Sequence, residues 1–422
     1  MKRMVRFIGN LLFILILLSV LFSYAMFQGG FVSWFLFYSF LPILLYHLAL
    51  LFYPLKKWKV TRVLSDRFIH AGGSTHVALR IERTFPFPIY YAVFEEILPE
   101  TLNKEDRGHL NYMFLNAPEK LLLKRSVKEV IAIGFRKTVE IPYSLERLPR
   151  GEHQFQSVRI LISDVFGFVK KEYTFPLDDR LIVEPHERSI KLSDGTVSFE
   201  SGPTMAETFR LESTNVATGV REYAPGDRFS WIHWKQTARN QTVMTKEFEQ
   251  ERSDSVLLVL DASSSGNKNP LAFEAGVELA ASLFSALEKA AIDLELVVIG
   301  EEIRSFSLKE RSHMKESIRY YLAKIQPGGK EPFSKMMQQM MQSRKKMERI
   351  IVITNSFDEQ FGVLMQKLKL RTLQCVILYA QGSAFISEKD KELISHLKKD
   401  GTAIHVMTEK VLATTPLEVN IR

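Results

Sequence analysis

The stretch "VLLVLDASSS", residues 256–265, is a continuous apolar run that ends in a carboxylate and three hydroxyls. A short run of this kind is typical of a parallel strand that is buried on both faces. Similar runs follow it, separated by amphipathic stretches such as Leu271 to Ala291; the runs read "LELVVIG", "RIIVITN", "QCVILYA" and "TAIHVM". Alternating strands and helices predict an open α/β sheet over residues 254–422.

The hydroxyls after the first strand form the pattern Asp261-x-Ser263-x-Ser265. Ligands of open α/β sheets bind at the carboxyl ends of strands, and these oxygens suit Mg²⁺ or another divalent cation. The spacing resembles the metal-binding signature of von Willebrand factor A-type domains. The further Thr and Asp that those domains add are replaced here by Gly328-Gly329-Lys330 and Ile353-Thr354-Asn355. The alternative interpretation is structural, with Asp261 and the serines capping the next helix.

The N-terminal part of the chain is predicted to anchor the protein in a membrane. Asp, Glu, Lys and Arg do not occur from Phe7 to Leu55. A spanning helix needs about 20 apolar residues, so 7–27 and 31–53 each suffice, with Gln28-Gly29-Gly30 between them. Residues 1–56 are therefore predicted to form a transmembrane helical hairpin.

The orientation of this hairpin follows from its basic flanks, because Lys and Arg prefer the cytoplasmic side of a membrane. The flanking residues are Lys2, Arg3, Arg6, Lys56, Lys57, Lys59 and Arg62. We expect a multi-pass protein of the cell membrane with most of its chain in the cytoplasm. These seven residues also supply nearly all of the net charge of +8, which argues against nucleic-acid binding. A signal peptide cleaved near Ala25 is the alternative, and it would leave one membrane helix and an exported domain.

Residues 57–188 read as strands. The stretch "THVALRIE", residues 75–82, alternates between apolar and polar side chains, as half-buried strands do. Turn signals, and no long amphipathic pattern, separate it from similar stretches. The prediction is an antiparallel β-sandwich of immunoglobulin-like type.

The linker at residues 189–253 contains "GVREYAPGDRFSWIHWKQTARN", residues 219–240. Its unusual mixture of aromatic and charged side chains gives the candidate binding residues Arg221, Glu222, Tyr223, Gly226, Asp227, Trp231, Trp234 and Arg239. One interpretation is a buried ion-pair network of Arg221, Asp227 and Arg239 beside a buried Trp234, with Asp227 capping a short helix. The other is an interaction surface, since Trp and Arg dominate binding hot spots.

This segment, with the following "KEFEQERSDSVLLVLDASSS", closely resembles a bacterial family called domain of unknown function 58. Its pattern Arg-Glu-Tyr…Pro-Gly-Asp…Ile-x-Trp-x-x-x-Ala-Arg and the upstream Asp164-x-Phe166-Gly167 carry the resemblance. Genes of the family often lie beside those of a MoxR-type AAA+ ATPase and a transglutaminase-like membrane protein. The resemblance therefore implies these two partners.

The predicted function is that of a membrane-anchored, non-catalytic adaptor or scaffold that works with the ATPase and its clients. A metal-dependent enzyme with its ion at Asp261, or an exported adhesion-type receptor, are the alternatives. The sequence has no P-loop pattern, no H-E-x-x-H and only Cys375 as a thiol.

Overall fold

The computed structural model describes residues 2–193, 217–224, 229–248, 255–264, 269–289, 293–307, 314–342, 344, 347–370 and 372–420. The chain divides into two compact units. The first consists of Met1–Asp106 and Leu122–Glu184, and the second of Arg107–Leu121 and Pro185–Arg422. The chain therefore leaves the first unit, contributes 15 residues to the second, and returns.

Two long helices open the first unit, α1 at Lys2–Gln28 and α2 at Phe31–Phe52. Gly29 turns the chain between them with a φ of +57°, a value that costs glycine little. The apolar stretches Phe7–Gln28 and Phe31–Phe52 are each 22 residues long and apolar enough to cross a bilayer. The predicted pair of apolar helices is therefore confirmed, and it is compatible with membrane anchoring.

The rest of the first unit is made of strands. They are β1 (Lys59–Leu64), β2 (Phe68–His70), β3 (Thr75–Glu82), β4 (Tyr91–Ile97), β5 (Val127–Ile131), β6 (Thr138–Leu145), β7 (Gly151–Ser163) and β8 (Lys170–Glu184). They form one sheet in the order β1-β3-β6 and another in the order β2-β8-β7-β4-β5. Inward residues of both sheets, such as Ile81 and Ile160, belong to one apolar core that also takes in Leu50 of α2.

The second unit begins with β9 (Ile190–Ser193), β10 (Ala217–Glu222), α3 (Trp234–Asn240) and β11 (Met244–Phe248). Its larger part consists of β12 (Ser255–Asp261), α4 (Pro270–Lys289), β13 (Asp293–Ile299), β14 (Ile303–Ser307), α5 (Met314–Lys324), α6 (Phe333–Gln342), β15 (Met347–Thr354), α7 (Phe361–Lys369), β16 (Thr372–Ala380), α8 (Glu388–Lys399), β17 (Ala403–Met407), α9 (Glu409–Leu412) and β18 (Leu417–Asn420). Among the described residues, six of these strands form one sheet in the order β14-β13-β12-β15-β16-β17. All its neighbours pair in parallel except β13 and β14, so the predicted mixed α/β arrangement is present.

Both faces of β12 are covered. Val256, Leu258 and Leu260 pack with α4 and α5, whereas Leu257 and Val259 pack with α6, α7 and α8. Helix α4 has the length and hydropathy of a membrane span, but 83% of it is buried inside the fold, so it is a core helix. The Met-rich helix α6 is likewise core, because Met337, Met340 and Met341 are buried.

A buried ion pair holds the segment Arg107–Leu121 in the second unit. The Tyr112 hydroxyl donates to Glu278 Oε2 at 2.7 Å, and the guanidinium of Arg188 forms an ion pair with the same carboxylate. Arg188 also lies over the Tyr112 ring and donates to the carbonyl oxygen of Leu412 at 2.7 Å. Burial raises the pKa of Glu278, and Arg188 opposes this effect. Removing the cation alone therefore leaves a buried carboxylate without its main counter-charge.

We predict that Arg188→Met destabilises the second unit by about 3–5 kcal/mol, the usual effect of breaking a buried pair. The double variant Arg188→Met/Glu278→Met should recover part of this loss, because it no longer buries an unpaired charge. Chemical unfolding of the detergent-solubilised chain measures both. Arg304→Met, which removes an exposed pair with Glu302, is the matched control and should cost less than about 1 kcal/mol. An Arg188→Met variant as stable as this control would contradict the assignment.

Candidate functional site

A cluster of polar side chains lies at the carboxyl edge of the six-stranded sheet. The chain passes from β12 to β13 on one side and later to β15 on the other, so the strand order reverses at β12. Open α/β sheets bind ligands at such a switch point. Asp261 ends β12 and Thr354 ends β15, which places both at this position.

Asp261 is buried and its two carboxylate oxygens accept hydrogen bonds from neighbouring residues. Oδ1 accepts from the backbone amide of Ser263 at 2.9 Å and from its hydroxyl at 2.7 Å. Oδ2 accepts from the Thr354 hydroxyl at 2.7 Å. The structure thus brings the predicted residues Asp261 and Ser263 together, whereas Ser265 lies outside the described residues.

Burial raises the pKa of Asp261 to about 6. The hydrogen bonds from Thr354 and Ser263 favour the ionised form but do not offset the loss of solvent, and the nearby charge of Asp358 acts with burial. Asp358 itself accepts from the amides of Ser334 and Gln360, which begin α6 and precede α7. The site therefore contains one carboxyl that gains a proton at mildly acidic pH.

A second group of buried amides lies beside this carboxyl. The Asn269 side-chain oxygen accepts from the amide of Leu271 in the first turn of α4, and its nitrogen donates to Gln381 Oε1 at 3.0 Å. Gln381 in turn donates to the carbonyl oxygen of Asn355 at 2.9 Å. The interpretation of Asp261 as the cap of the next helix is therefore wrong, because Asn269 fills that role.

Sequence reasoning placed Ile353-Thr354-Asn355 near Asp261 without identifying the Thr354 hydroxyl as its partner, and it missed Gln381 and Asn269 as members of this cluster. The usable signal was that Thr354-Asn355 and Gln381 directly follow apolar strands, at the same edge as Asp261.

The glycine pair of the sequence lies next to Ser263. Gly328 forms a bridge with Ser263, and its amide donates to the carbonyl oxygen of Ala262 at 2.9 Å. Gly329 has a φ of +90°, and a Cβ there would lie 2.7 Å from the Gly300 carbonyl oxygen. The chain therefore needs glycine here to approach β12, and Lys330 follows with an exposed side chain.

The described part of this edge brings together two of the three residues predicted to bind a divalent cation, Asp261 and Ser263, and adds the Thr354 hydroxyl. The third, Ser265, lies outside the described residues, so the cation site stays a prediction. Over the described part of the chain, no group of three His, Cys, Asp or Glu side chains is placed to hold a metal. The arrangement is that of a hydrogen-bonded carboxyl.

The aromatic and charged segment forms a small module, defined here as residues 217–224 and 229–248. Its strands β10 and β11 pair antiparallel, and Ile232 forms a bridge with Thr245. The helix α3 starts at Trp234, and His233 caps it by accepting from the Gln236 amide at 3.1 Å. The expected cap Asp227 and the neighbouring Gly226 lie outside the described residues.

Most of the predicted binding residues of this motif module are exposed. Trp234 is 65% exposed and Phe229 is 74% exposed, whereas Trp231 is half-buried. Arg221, Glu222, Tyr223 and Arg239 are also exposed. The expectation of a buried Trp234 is therefore wrong. Arg221 and Arg239 of the predicted buried ion-pair network are exposed, and its third member, Asp227, lies outside the described residues. Ile232, Met244 and Thr245 are the buried residues that hold the module together.

Comparison with known proteins places these features in a family. The family model described as protein of unknown function DUF58 matches residues 219–380, from the motif module to the end of β16. The Bacillus subtilis (strain 168) protein described as uncharacterized protein YeaD is 33% identical over 400 residues, which cover 94% of this chain and 95% of that protein. The chain belongs to the DUF58 family.

Solved structures give only distant similarity. The PilB minor pilin from Streptococcus sanguinis is 9% identical over 77% of this chain and 85% of its own, with a TM-score of 0.28. A non-cellulosomal cohesin from Archaeoglobus fulgidus is 20% identical over 28% of this chain and 91% of its own, with a TM-score of 0.18. Scores this low define no common fold.

We predict that Asp261 makes the protein relatively more stable as the pH falls. The folded pKa of about 6 lies above the ordinary value of 3.8, so the folded chain takes up the proton first. This contribution to stability is full below the ordinary pKa and is lost as the pH rises through about 6. Between pH 7.5 and 5 the wild type should gain on the order of 1 kcal/mol relative to Asp261→Asn, which cannot titrate.

Melting of the detergent-solubilised chain across this pH range measures the difference. Asp66→Asn makes the same chemical change at an exposed carboxylate and should follow the wild type. Mg²⁺ or a chelator is expected to leave all three melting temperatures unchanged. A melting temperature that Mg²⁺ raises in the wild type but not in Asp261→Asn would instead establish a cation site.

Proposed function

We propose that this member of the DUF58 family is a membrane-anchored adaptor without catalytic activity of its own. Its motif module would bind a MoxR-type AAA+ ATPase or a client of that ATPase, and a transglutaminase-like membrane protein would belong to the same assembly. The observation that carries the proposal is the exposure of Trp234 and Phe229 in the segment where the family match begins. The two partners are those that the resemblance to the family implies.

The energetics of protein interfaces support a binding role for the motif module. Exposing large aromatic rings to water is unfavourable, and Trp, Tyr and Arg are enriched among the residues that dominate interfaces. Here exposed Trp234, Phe229 and Tyr223 occur in one small module with exposed Arg221 and Arg239. A partner that covers these rings would gain their burial without any rearrangement of the core residues Ile232 and Met244.

The polar cluster at the switch point favours a structural role over catalysis. The side chains of Asp261, Asn269 and Gln381 form hydrogen bonds within the protein. Asp261 accepts from the Ser263 amide, Asn269 donates to Gln381, and Gln381 donates to the carbonyl oxygen of Asn355. A metal-dependent enzyme would need further ligands beside Asp261, and over the described part of the chain no group of three His, Cys, Asp or Glu side chains is placed to hold a metal. An enzyme with its metal at Asp261 is therefore the weaker candidate.

We also propose a fold type for the six-stranded sheet of the second unit and for the two sheets of the first. By position in the chain, the six-stranded sheet has the order third-second-first-fourth-fifth-sixth, a doubly wound order. With Asp261 and Ser263 after the first strand, this supports a von Willebrand factor A-like domain. The shared core of the two sheets in the first unit supports an immunoglobulin-like sandwich.

Our first prediction from this proposal concerns Trp234. Trp234→Ala should weaken binding of the MoxR-type ATPase from the same organism at least about tenfold, the effect of losing about 1.4 kcal/mol. Its melting temperature should stay close to that of the wild type, because the side chain is 65% exposed. Biolayer interferometry on the full chain in nanodiscs, with ATP and with ADP, measures the affinity.

Leu370→Ala is the matched control, since Leu370 is an 85% exposed apolar residue of the same unit outside the module. It should bind the ATPase like the wild type. Equal affinity of Trp234→Ala and wild type would show that the module is not the docking surface. A wild type that binds no ATPase would refute the partner.

Our second prediction concerns orientation. The basic flanks of both helices support a cytoplasmic location for the chain after α2. Alkaline phosphatase fused after Arg422 should therefore be inactive in cells, whereas a green fluorescent protein at the same place should fluoresce. The reverse pattern would favour export and the adhesion-type alternative.

A further inference from the structure

Exposed apolar side chains surround the end of α2 in the first unit. This apolar rim consists of Phe85 (55% exposed), Tyr90 (62%), Phe135 (69%), Val165 (54%), Phe166 (65%) and Phe168 (53%). Tyr90, Phe135 and Val165 line one hollow together with Tyr46 of α2, and Phe85 lines another with Phe52. The rim therefore joins three separate loops around the same few turns of helix. Exposed apolar surface of this extent marks contact with a protein or a membrane.

Contacts with α1 and α2 show how far along these two helices the apolar rim lies. His47 Nε2 lies 2.9 Å from Asp164 Oδ2, next to Val165 and Phe166. The Phe168 ring lies 5.7 Å from that of Phe13 in α1. At about 1.5 Å per residue, His47 lies about 8 Å inside the end of α2 at Phe52, and Phe13 lies about 9 Å inside the start of its apolar stretch at Phe7. Both helices thus give the rim the same depth.

The length of the helices shows where this depth lies in a bilayer. Each apolar stretch has 22 residues, or about 33 Å, against about 30 Å of hydrocarbon. The helix ends therefore extend only about 1–2 Å beyond the hydrocarbon on each side. The rim consequently reaches about 6–8 Å below that boundary, within the range of about 5–10 Å where interfacial segments insert.

Four backbone amides of the loop that carries Phe166 find acceptors within the loop, which favours a position at a lipid boundary. The Asp164 carboxylate accepts from the amides of Val169 at 2.7 Å and Phe166 at 3.1 Å. The Asp164 and Gly167 amides donate to carbonyl oxygens within the loop, and Gly167 has the positive φ of +76° that closes it. The side chains of this loop can therefore point outward while these four amides stay paired.

Basic side chains follow the rim residues in sequence. Arg136 comes directly after Phe135, and Lys170 lies two residues after Phe168; both are exposed. Lys171 donates to the carbonyl oxygens of Leu51 and Tyr53 at the end of α2. Cations at this level suit the phosphates of lipid headgroups.

We propose that the apolar rim inserts into the bilayer interface, with Phe166 and Phe168 among the acyl chains and Arg136 and Lys170 at the headgroups. The proposal rests on the proposed membrane anchor, to which it adds a contact made by the strand-rich part of the same unit. It also gives the family segment Asp164-x-Phe166-Gly167 a role: Asp164 fixes the loop to α2, and Phe166 enters the lipid.

A single-cysteine experiment on the full chain tests this. Cys375, the chain's one cysteine, is replaced by Ser, and Phe166→Cys is labelled with an environment-sensitive nitrobenzoxadiazole probe. The control is Phe68→Cys, because Phe68 is 61% exposed and pairs with Ile182, 11 residues along β8 from Lys171. At about 3.3 Å per residue it lies about 35 Å from the end of α2. Phe135→Cys, on a different loop, serves if Phe166→Cys does not fold.

The labelled chains are placed in vesicles of phosphatidylcholine and phosphatidylglycerol. Flotation with the vesicles tests the anchor separately. We expect spin-labelled lipid to remove most of the emission of the Phe166 and Phe135 probes while aqueous iodide does not, and the Phe68 probe to behave in the opposite way. A floating chain whose Phe166 probe is quenched by iodide like the Phe68 probe overturns the rim proposal and leaves the anchor intact. A probe shielded from both quenchers overturns it as well, because protein then covers the rim.

Discussion

The second unit is organised around one constraint, which is that its central strand must be hidden from water on both faces. Residues Val256 to Leu260 are apolar without interruption, so helices have to cover the sheet on each side. On the α4 face, Tyr112 and Leu115 of the segment Arg107–Leu121 complete the apolar cover. Tyr112 of that segment places its hydroxyl inside the fold, where it donates to Glu278, and Arg188 pairs with the same carboxylate. The ion pair is thus a consequence of how the apolar face is closed.

The same constraint accounts for the polar cluster at the carboxyl edge. A buried parallel strand has to end where a loop leads to the next helix, and the backbone groups of that turn need partners. Asp261, Thr354, Asn269 and Gln381 supply these partners at the ends of three neighbouring strands. A cluster of this kind fixes the loops relative to each other.

The periodicity of the sequence was sufficient to predict the helices of the hairpin and the parallel strands, because each is a local pattern. The stretch 31–53 corresponds to α2 at Phe31–Phe52, and "VLLVLD" to β12. Contacts between distant residues were not predictable in this way. Nothing near Asn269 indicates that it meets Gln381, and nothing near Trp234 indicates that it faces solvent, since composition alone fits a buried and an exposed Trp equally. No local pattern in the sequence indicates that residues 107–121 belong to the second unit either.

Two buried aspartates show why environment decides what such a residue does. Asp164 is buried, which opposes ionisation, but hydrogen bonds from the Val169 amide and from His47 outweigh this and lower its pKa. Asp261 is also buried, and there the loss of solvent outweighs the hydrogen bonds from Thr354 and Ser263 while the nearby charge of Asp358 adds to it, so its pKa is raised to about 6. The balance between lost solvent and hydrogen bonds therefore differs between the two residues. At Asp164 it favours the carboxylate, which accepts from amides of its own loop, and at Asp261 it shifts the carboxyl towards the protonated form.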